Sequence, residues 1–459
     1  MNELANKSVI VLGAGASGVS AAVLAHRKGA AVCLVDSGSG QRLDDTKRQL
    51  APLGIHVEPA WQPTEDKCEC DLCVISPGVP ADSPMARHFL DKGVQMVSEL
   101  EFGSWYCNIP KLAITGTNGK TTVVEMLTHC LEGIGRRVKA CGNIGLPLSQ
   151  VALDGADEDV LVVEVSSYQL EMTRHFACQA AALLNITPDH LSRHHTMEAY
   201  RDIKLKLLQQ VADGGVCVLR KDLTSEPEII NTLTGKRLLT FTSEESSADY
   251  AVRDGALCRI NDNGCTKLLP LSALPYNGSH NYENCLAVLA MGEAAGISPT
   301  ELAPHLATFH IGPHRMEVIW EHNGVKYVND SKATNLDAMV QSLRKFGNDR
   351  RDIALIAGGL TKGCDLGAAL PDIKKYAKGA FLIGASRHEL AQLWGADVPC
   401  VECDSLDEAF AKATACVAAG GTVLLSPGCA SMDMFSDYIE RGRSFVNLVE
   451  RLRDSELDQ

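Results

Sequence analysis

The chain's 459 residues, 45% hydrophobic and 22% charged, fit an ordinary globular protein with material for roughly three domains of about 150 residues each. A formal charge of −14 argues against a general nucleic-acid binder, although local positive charge can still hold small anions. No apolar run reaches the roughly 18 residues of a transmembrane helix, and the N-terminus enters a strand-like segment without a leader, so a cytoplasmic protein with no membrane insertion is expected.

The first elements, in "KSVIVLGAGASGVSAAVLAHRKGAAVCLVDSG", read as strand, glycine turn, helix and strand, a βαβ unit ending at Asp36. Its Gly13-Ala-Gly15-Ala-Ser-Gly18 matches G-x-G-x-x-G, in which a diphosphate rests on a helix N-terminus and the acidic residue accepts from a ribose or base. On this motif a nicotinamide enzyme and a nucleotide-sugar binder both stay open. Seventeen cysteines in a chain without a leader read as reduced thiols. The cluster Cys68, Cys70 and Cys73 lacks the second ligand pair that a structural zinc site needs, and a buried strand is the better reading.

The next block opens with "LAITGTNGKTTVVEML", a buried strand, a polar turn and a helix. The longer phosphate loop, G-x-x-x-x-G-K-[ST], needs glycine where Ile114 stands, so this is a shorter loop. Its backbone N–H groups can still face phosphate oxygens, with Lys120 as the cation and a threonine hydroxyl for Mg²⁺. Hydride transfer has no use for such a loop. Further along, Glu164 sits inside "LVVEVSS", where a carboxylate needs a partner or a metal. His190 follows the apolar run of "LLNITPDH". A Mg²⁺ site and a plain buried salt bridge with a surface histidine are equally compatible with these two. The pair His190 and His194 makes a weaker case for zinc, and Lys204 in "YRDIKLKLL" would ordinarily be a solvated helix lysine. Residues 222–275 are mixed in pattern and suggest no site.

From about residue 312 the strand candidates "IALIAGG", "GAFLIGAS" and "TVLLSPG" alternate with helices, again an α/β pattern. Asp330, Lys332, Thr334 and Asn335 in "NDSKATN", then Lys362, Ser426 and Ser431, put hydroxyls and lysines at strand ends, which suits a small carboxylate-bearing molecule.

Together these residues resemble the Mur ligase family, which builds the peptide of the bacterial cell-wall precursor, over nearly the whole chain. The resemblance is carried by "TGTNGKTT", "GNIGLP" (Gly142 to Pro147), "EVSSYQLE" (Glu164 to Glu171), "NITPDHLSRH", His280-Asn281 with Asn284, and "PHRME". "VNDSKATN", the Gly358 to Lys362 stretch and "SPGCASMDMFSDYIERG" point to its D-glutamate-adding branch, and the D-N-P-R of the diaminopimelate-adding relatives is missing. The implied fold is α/β in three domains. Residues 1–98 would be Rossmann-like and hold the UDP substrate. Residues 99–311 would be a P-loop-type mononucleotide-binding ATPase domain, and residues 312–459 a second Rossmann-like domain for the amino acid.

The resemblance also implies the chemistry: ATP, UDP-N-acetylmuramoyl-L-alanine and D-glutamate give an amide, ADP and phosphate through an acyl phosphate. A sibling ligase for another amino acid is the nearest alternative, and a nicotinamide-dependent oxidoreductase a more distant one. Lys120, Glu164, His190 and Lys204 would be catalytic. Gly116, Thr117, Asn118, Gly119, Lys120, Thr121, Thr122, Asn281, Arg315 and Asp330 would meet ATP. Two Mg²⁺ ions are implied on Thr121, Glu164, His190 and Lys204, the last as a carbamate formed with CO₂. Gly15, Ser17, Asp36, Ser37, Ser76, Pro77, Gly78, Asn143, Ser166 and Gln169 would line the UDP-substrate site. Lys332, Thr334, Lys362, Ser431 and Tyr438 would form the D-glutamate pocket. Ser37-Gly38 where relatives often carry Thr-Arg, Tyr438 for phenylalanine and Gly428 for alanine depart from the family pattern. The implied partners are small molecules only, and a monomer is expected.

Overall fold

The computed structural model describes residues 4–63, 69–155, 157–244 and 247–457. Its described strands form three sheets in chain order. Strands β1 (Ser8–Leu12), β2 (Ala31–Val35), β3 (His56–Glu58), β4 (Leu72–Ile75) and β5 (Met96–Ser98) pair in the order β3-β2-β1-β4-β5, all parallel. Apolar residues cover both faces: Val9, Val11 and Leu34 pack on one, Ile10, Leu12 and Cys73 on the other. That two-sided burial is why β1 reads as a continuous hydrophobic run. Cys73 lies inside β4, as the strand reading of its segment requires, while Cys68 falls outside the described residues. None of the described cysteines forms a disulfide.

The second sheet comprises β6 (Lys111–Thr115), β7 (Val138–Gly142), β8 (Val160–Glu164), β9 (Cys178–Leu183), β10 (Val211–Arg220), β11 (Arg237–Thr242), β12 (Tyr250–Arg253), β13 (Ala256–Asn261) and β14 (Gly264–Pro270). The order is β14-β13-β12-β11-β10-β9-β6-β8-β7, parallel from β7 to β12 and antiparallel across β13 and β14. The mixed stretch 222–275 thus supplies the sheet's extension, ending in an exposed antiparallel edge. The third sheet, β15 (Glu317–His322), β16 (Val325–Asn329), β17 (Ile353–Gly358), β18 (Ala377–Ile383), β19 (Cys400–Glu402) and β20 (Thr422–Leu425), runs β15-β16-β20-β17-β18-β19 and is parallel except for β15.

These sheets fall into two compact units. One holds Met1–Ile186 and Glu198–Phe309, the other Thr187–Met197 and His310–Gln459. The first two sheets share a unit because the helices Ala16–Arg27 and Glu99–Ser104 pack on the helix Leu148–Asp154. Gly103 allows this approach: a Cβ there would stand 2.5 Å from the Ser149 nitrogen. The segment with His190, expected within the middle block, groups with the C-terminal one instead. Asp189 pairs with Lys362 at 3.0 Å, and the Ser192 N–H donates to the Lys362 carbonyl at 2.9 Å.

Candidate active site

Strand β6 delivers the lysine loop. Ile114 is buried in the sheet beside Glu164 of β8, so the position where a longer loop has glycine is here part of the strand. The chain then turns through Gly116 to Gly119 and enters the helix Lys120–Gly133. Gly119 caps that helix at φ +86°, a left-handed conformation that favours glycine, and a Cβ there would stand 2.7 Å from Asn284 Oδ1. The N-terminus of a 14-residue helix directly after the turn is a natural seat for a phosphate.

Asn185, at the end of β9, holds the loop in shape. Its Oδ1 accepts from the N–H groups of Thr117 (3.1 Å) and Asn118 (2.8 Å), and its Nδ2 donates to the Asn118 carbonyl at 3.1 Å. The Tyr200 hydroxyl meets Thr117 Oγ1 at 3.2 Å. Lys120 Nζ folds back to the carbonyls of Gly116 and Thr117, both at 2.8 Å. Lys204 is only 1% exposed, lies over the Tyr200 ring, and donates to the same Gly116 carbonyl at 2.8 Å. Two lysines therefore converge on one backbone oxygen. Asn185 opens the stretch "NITPDHLSRH" and Tyr200 opens "YRDIKLKLL", but the sequence assigns neither a role.

Glu164 ends β8 in the core. One carboxylate oxygen accepts from Asn143 Nδ2 at 2.7 Å, while Oε2 is buried with no hydrogen-bond partner. Among the described residues no cation forms a salt bridge with Glu164. A buried carboxylate oxygen without a partner is what a hard divalent cation would satisfy, so the donor set here fits Mg²⁺. Ser166 and Gln169, expected near the substrate, form a capping box on the helix Ser167–Glu171, and their side chains already bond one another.

In the first sheet Gly13 (φ +92°) turns the chain into the helix Ala16–Arg27, and a Cβ on Gly18 would fall 1.8 Å from the Gly13 carbonyl. Ser76 Oγ donates to that carbonyl at 3.0 Å. The Asp36 carboxylate accepts from the N–H groups of Ala14 and Gly38, each at 2.8 Å, so its acidic group braces the turn.

The second unit gathers the remaining candidates. Burial works to raise the Asp189 carboxyl, but the charges of Lys362 and His190 and hydrogen bonds from Lys362 and Asn335 outweigh it and hold it below the ordinary range. Asp330 is fully buried, which pushes it up to about 6, and its oxygens are engaged by Met316 N, Ser342 Oγ and Ser426 Oγ. That occupancy favours a bracing role over direct nucleotide contact. Lys332 Nζ sits 3.9 Å from the centre of the Tyr438 ring, an aromatic face that tyrosine supplies as well as phenylalanine. Gly428 at φ +66° would clash with Met339 through a Cβ, which accounts for glycine at that position. Arg441, buried with its pKa pulled down to about 10 by desolvation, ties Ser331 to the Cys429 carbonyl.

Family models match the chain on both sides of this geometry: Mur ligase middle domain over residues 114–292, and Mur ligase, glutamate ligase domain over residues 314–429. The chain belongs to the Mur ligase family. An FAD binding domain model also matches residues 8–122, the stretch spanning the Gly13 turn. The Mur ligase assignment extends end to end. A UDP-N-acetylmuramoylalanine–D-glutamate ligase of Koribacter versatilis is 33% identical, covering 99% of both chains, and one of Pelotomaculum thermopropionicum is 35% identical over 99% of both. An oxidoreductase is therefore not favoured. Among solved structures, a pseudomurein peptide ligase type C from Methanothermus fervidus gives a TM-score of 0.60 at 16% identity, covering 97% of this chain and 100% of that one. UDP-N-acetylmuramate–alanine ligase from Thermotoga maritima gives 0.58 at 18%, covering 98% and 100%; both establish the fold of this Mur ligase. No helix among the described residues is long and apolar enough to cross a membrane.

Proposed function

We propose that this Mur ligase joins D-glutamate to UDP-N-acetylmuramoyl-L-alanine at the expense of ATP, as a monomer in the cytoplasm. The observation that carries the reading is end-to-end similarity to relatives bearing that name, on a chain whose lysine loop adjoins a buried, half-satisfied carboxylate. The sheet of β1 to β5 takes the UDP end, with Gly15, Ser17 and Ser37 at the turn and Ser76 to Gly78 after β4. The second sheet takes ATP, and the second unit takes D-glutamate through Lys332, Thr334, Lys362, Ser431 and Tyr438.

The reaction asks a carboxylate to attack a phosphate, so two anions must meet. Lys120 and the loop Gly116 to Thr122 bind and orient the β- and γ-phosphates through the N–H groups from Gly119 onward, those of Thr117 and Asn118 being held by Asn185. Asn143 fixes the Glu164 carboxylate through one oxygen and leaves the second available to a cation. Magnesium held by Thr121 and Glu164, and a second ion for which Lys204 would be a ligand, would offset the charge of the transferring phosphoryl group. Lys204 fits the carbamate role because it shares an acceptor with Lys120. Addition of CO₂ to its neutral amine forms a C–N bond, releases a proton, and replaces crowding of two cations by attraction between opposite charges. The amine of D-glutamate then attacks the acyl phosphate, and the C–N bond forms as phosphate leaves. Arg315, Asn281 and Asp330 support the nucleotide side.

Phosphate release from ATP with UDP-N-acetylmuramoyl-L-alanine tests this reading, comparing D-glutamate with L-alanine, L-lysine and diaminopimelate. Release with D-glutamate alone is expected. Release only with another amino acid on its own precursor reassigns the enzyme within the family, and none with any amino acid overturns the ligase reading.

A further inference from the structure

Outside the candidate active site, the described residues contain one mixed sulfur, nitrogen and oxygen cluster. Cys33 on β2 and His56 and Glu58 on β3 place one ligand atom each, a thiol, an imidazole nitrogen and a carboxylate oxygen, all within 4.8 Å of one another. The sheet register makes this inevitable. Cys33 is paired directly with His56, and Glu58 lies two residues on, so both β3 side chains project from the same face as Cys33. β3 is the edge strand; His56 is exposed, and Cys33 and Glu58 are half-buried, which leaves a route from solvent.

We propose that Cys33, His56 and Glu58 form a binding site for a borderline divalent cation, Zn²⁺, on the first sheet. Three protein ligands of S, N and O type plus a water complete the tetrahedron that Zn²⁺ favours. A thiolate and a carboxylate together neutralise the dication, and binding expels the thiol proton. Mg²⁺ prefers oxygen donors throughout, so this set discriminates against the ion that suits Glu164. The site also lies next to a candidate substrate contact, since the Asp36 N–H donates to the Glu58 carbonyl at 3.2 Å.

The test is a Co²⁺ titration of the reduced, metal-stripped full-length protein, followed by Zn²⁺ displacement. One saturable site with a thiolate-to-cobalt charge-transfer band is expected, displaced by one equivalent of Zn²⁺ and indifferent to millimolar Mg²⁺. His56→Ala changes an exposed side chain and leaves folding intact, yet it should weaken binding by about tenfold or more, the scale on which losing even an outer-shell partner is felt. Glu58→Gln should weaken binding as well, and Cys33→Ser should abolish the band. An unchanged isotherm in His56→Ala, or a band that survives Cys33→Ser, overturns the assignment and places the metal on other thiols.

Discussion

Replacing Asn185 by alanine isolates what shapes the ATP loop. Four hydrogen bonds join this residue to Thr117 and Asn118, three from its side chain and one from its backbone carbonyl, which accepts from the Thr117 N–H at 3.0 Å. The truncation leaves that backbone bond in place, so Thr117 keeps a partner. The Asn118 N–H and carbonyl each lose one hydrogen bond. At about 1 kcal/mol for each net hydrogen bond, the loop's working shape is destabilised by about 2 kcal/mol, or roughly 30-fold in the fraction poised for phosphate. KM for ATP should rise by that factor in a coupled ADP-release assay, while KM for D-glutamate stays put. Asn185→Asp keeps the acceptor but loses the donor and adds a negative charge beside the phosphate loop, so its KM for ATP should rise at least about fivefold, the equivalent of about 1 kcal/mol from the lost bond alone. An alanine variant that melts like the parent and keeps KM for ATP within about twofold would show that the loop holds its shape without Asn185.

Substitutions at three further positions probe the buried charges. Glu164→Gln replaces a half-satisfied buried carboxyl group with an amide, a poorer ligand for a hard cation, so activity should fall by about a hundredfold or more while metal-free stability stays level; a parallel loss of both would mark Glu164 as structural. Lys204→Arg keeps the cation and prevents carbamate formation, so it should be inactive, whereas Lys204→Ala should regain some activity with short carboxylates; an active arginine variant refutes the carbamate. Glu99 is fully buried, and desolvation raises its carboxyl from 4.5 to about 7, so the native state keeps a proton that the unfolded chain releases. Stability should therefore fall as pH rises from about 4.5 to about 7 and level off above, and the gap to Glu99→Gln should shift by up to roughly 3 kcal/mol across that window in urea titrations; parallel pH profiles would refute the buried-acid argument.

What the sequence discloses here is whatever is local. The Gly13 turn, the short lysine loop and the buried strands are periodic or contiguous, and Ile114 already argues for a shorter loop before any coordinates. Ser166 and Gln169 stand three apart in a capping-box pattern, so their mutual bonding was readable too. Asn185 reaches Asn118 across 67 residues, and Asp189 reaches Lys362 across 173; nothing in either segment announces its partner. Lys204 is hidden for a different reason. Its helix carries lysines on both faces, and only packing reveals that Lys204 shares the buried one with Tyr200, Leu207 and Leu208. Strand β14, at the edge of its sheet, is mostly exposed, which blurs the alternation that identifies a strand.

The two ways in which this protein holds its lysines bear on its substrates. Lys120 donates to the carbonyls of Gly116 and Thr117, and an ammonium held by carbonyl dipoles keeps its positive charge. That arrangement can attract a polyphosphate into a molecule whose overall charge of −14 would otherwise repel it. Lys362 instead meets the Asp189 carboxylate at 3.0 Å in a buried pair, where opposite charges cancel at a distance and act only at contact. A pair of this kind suits a substrate that itself carries both signs, as an amino acid does. Removing Asp189 would strip the Lys362 ammonium of this carboxylate, so the reading of that pocket as an amino-acid site rests on keeping the pair intact.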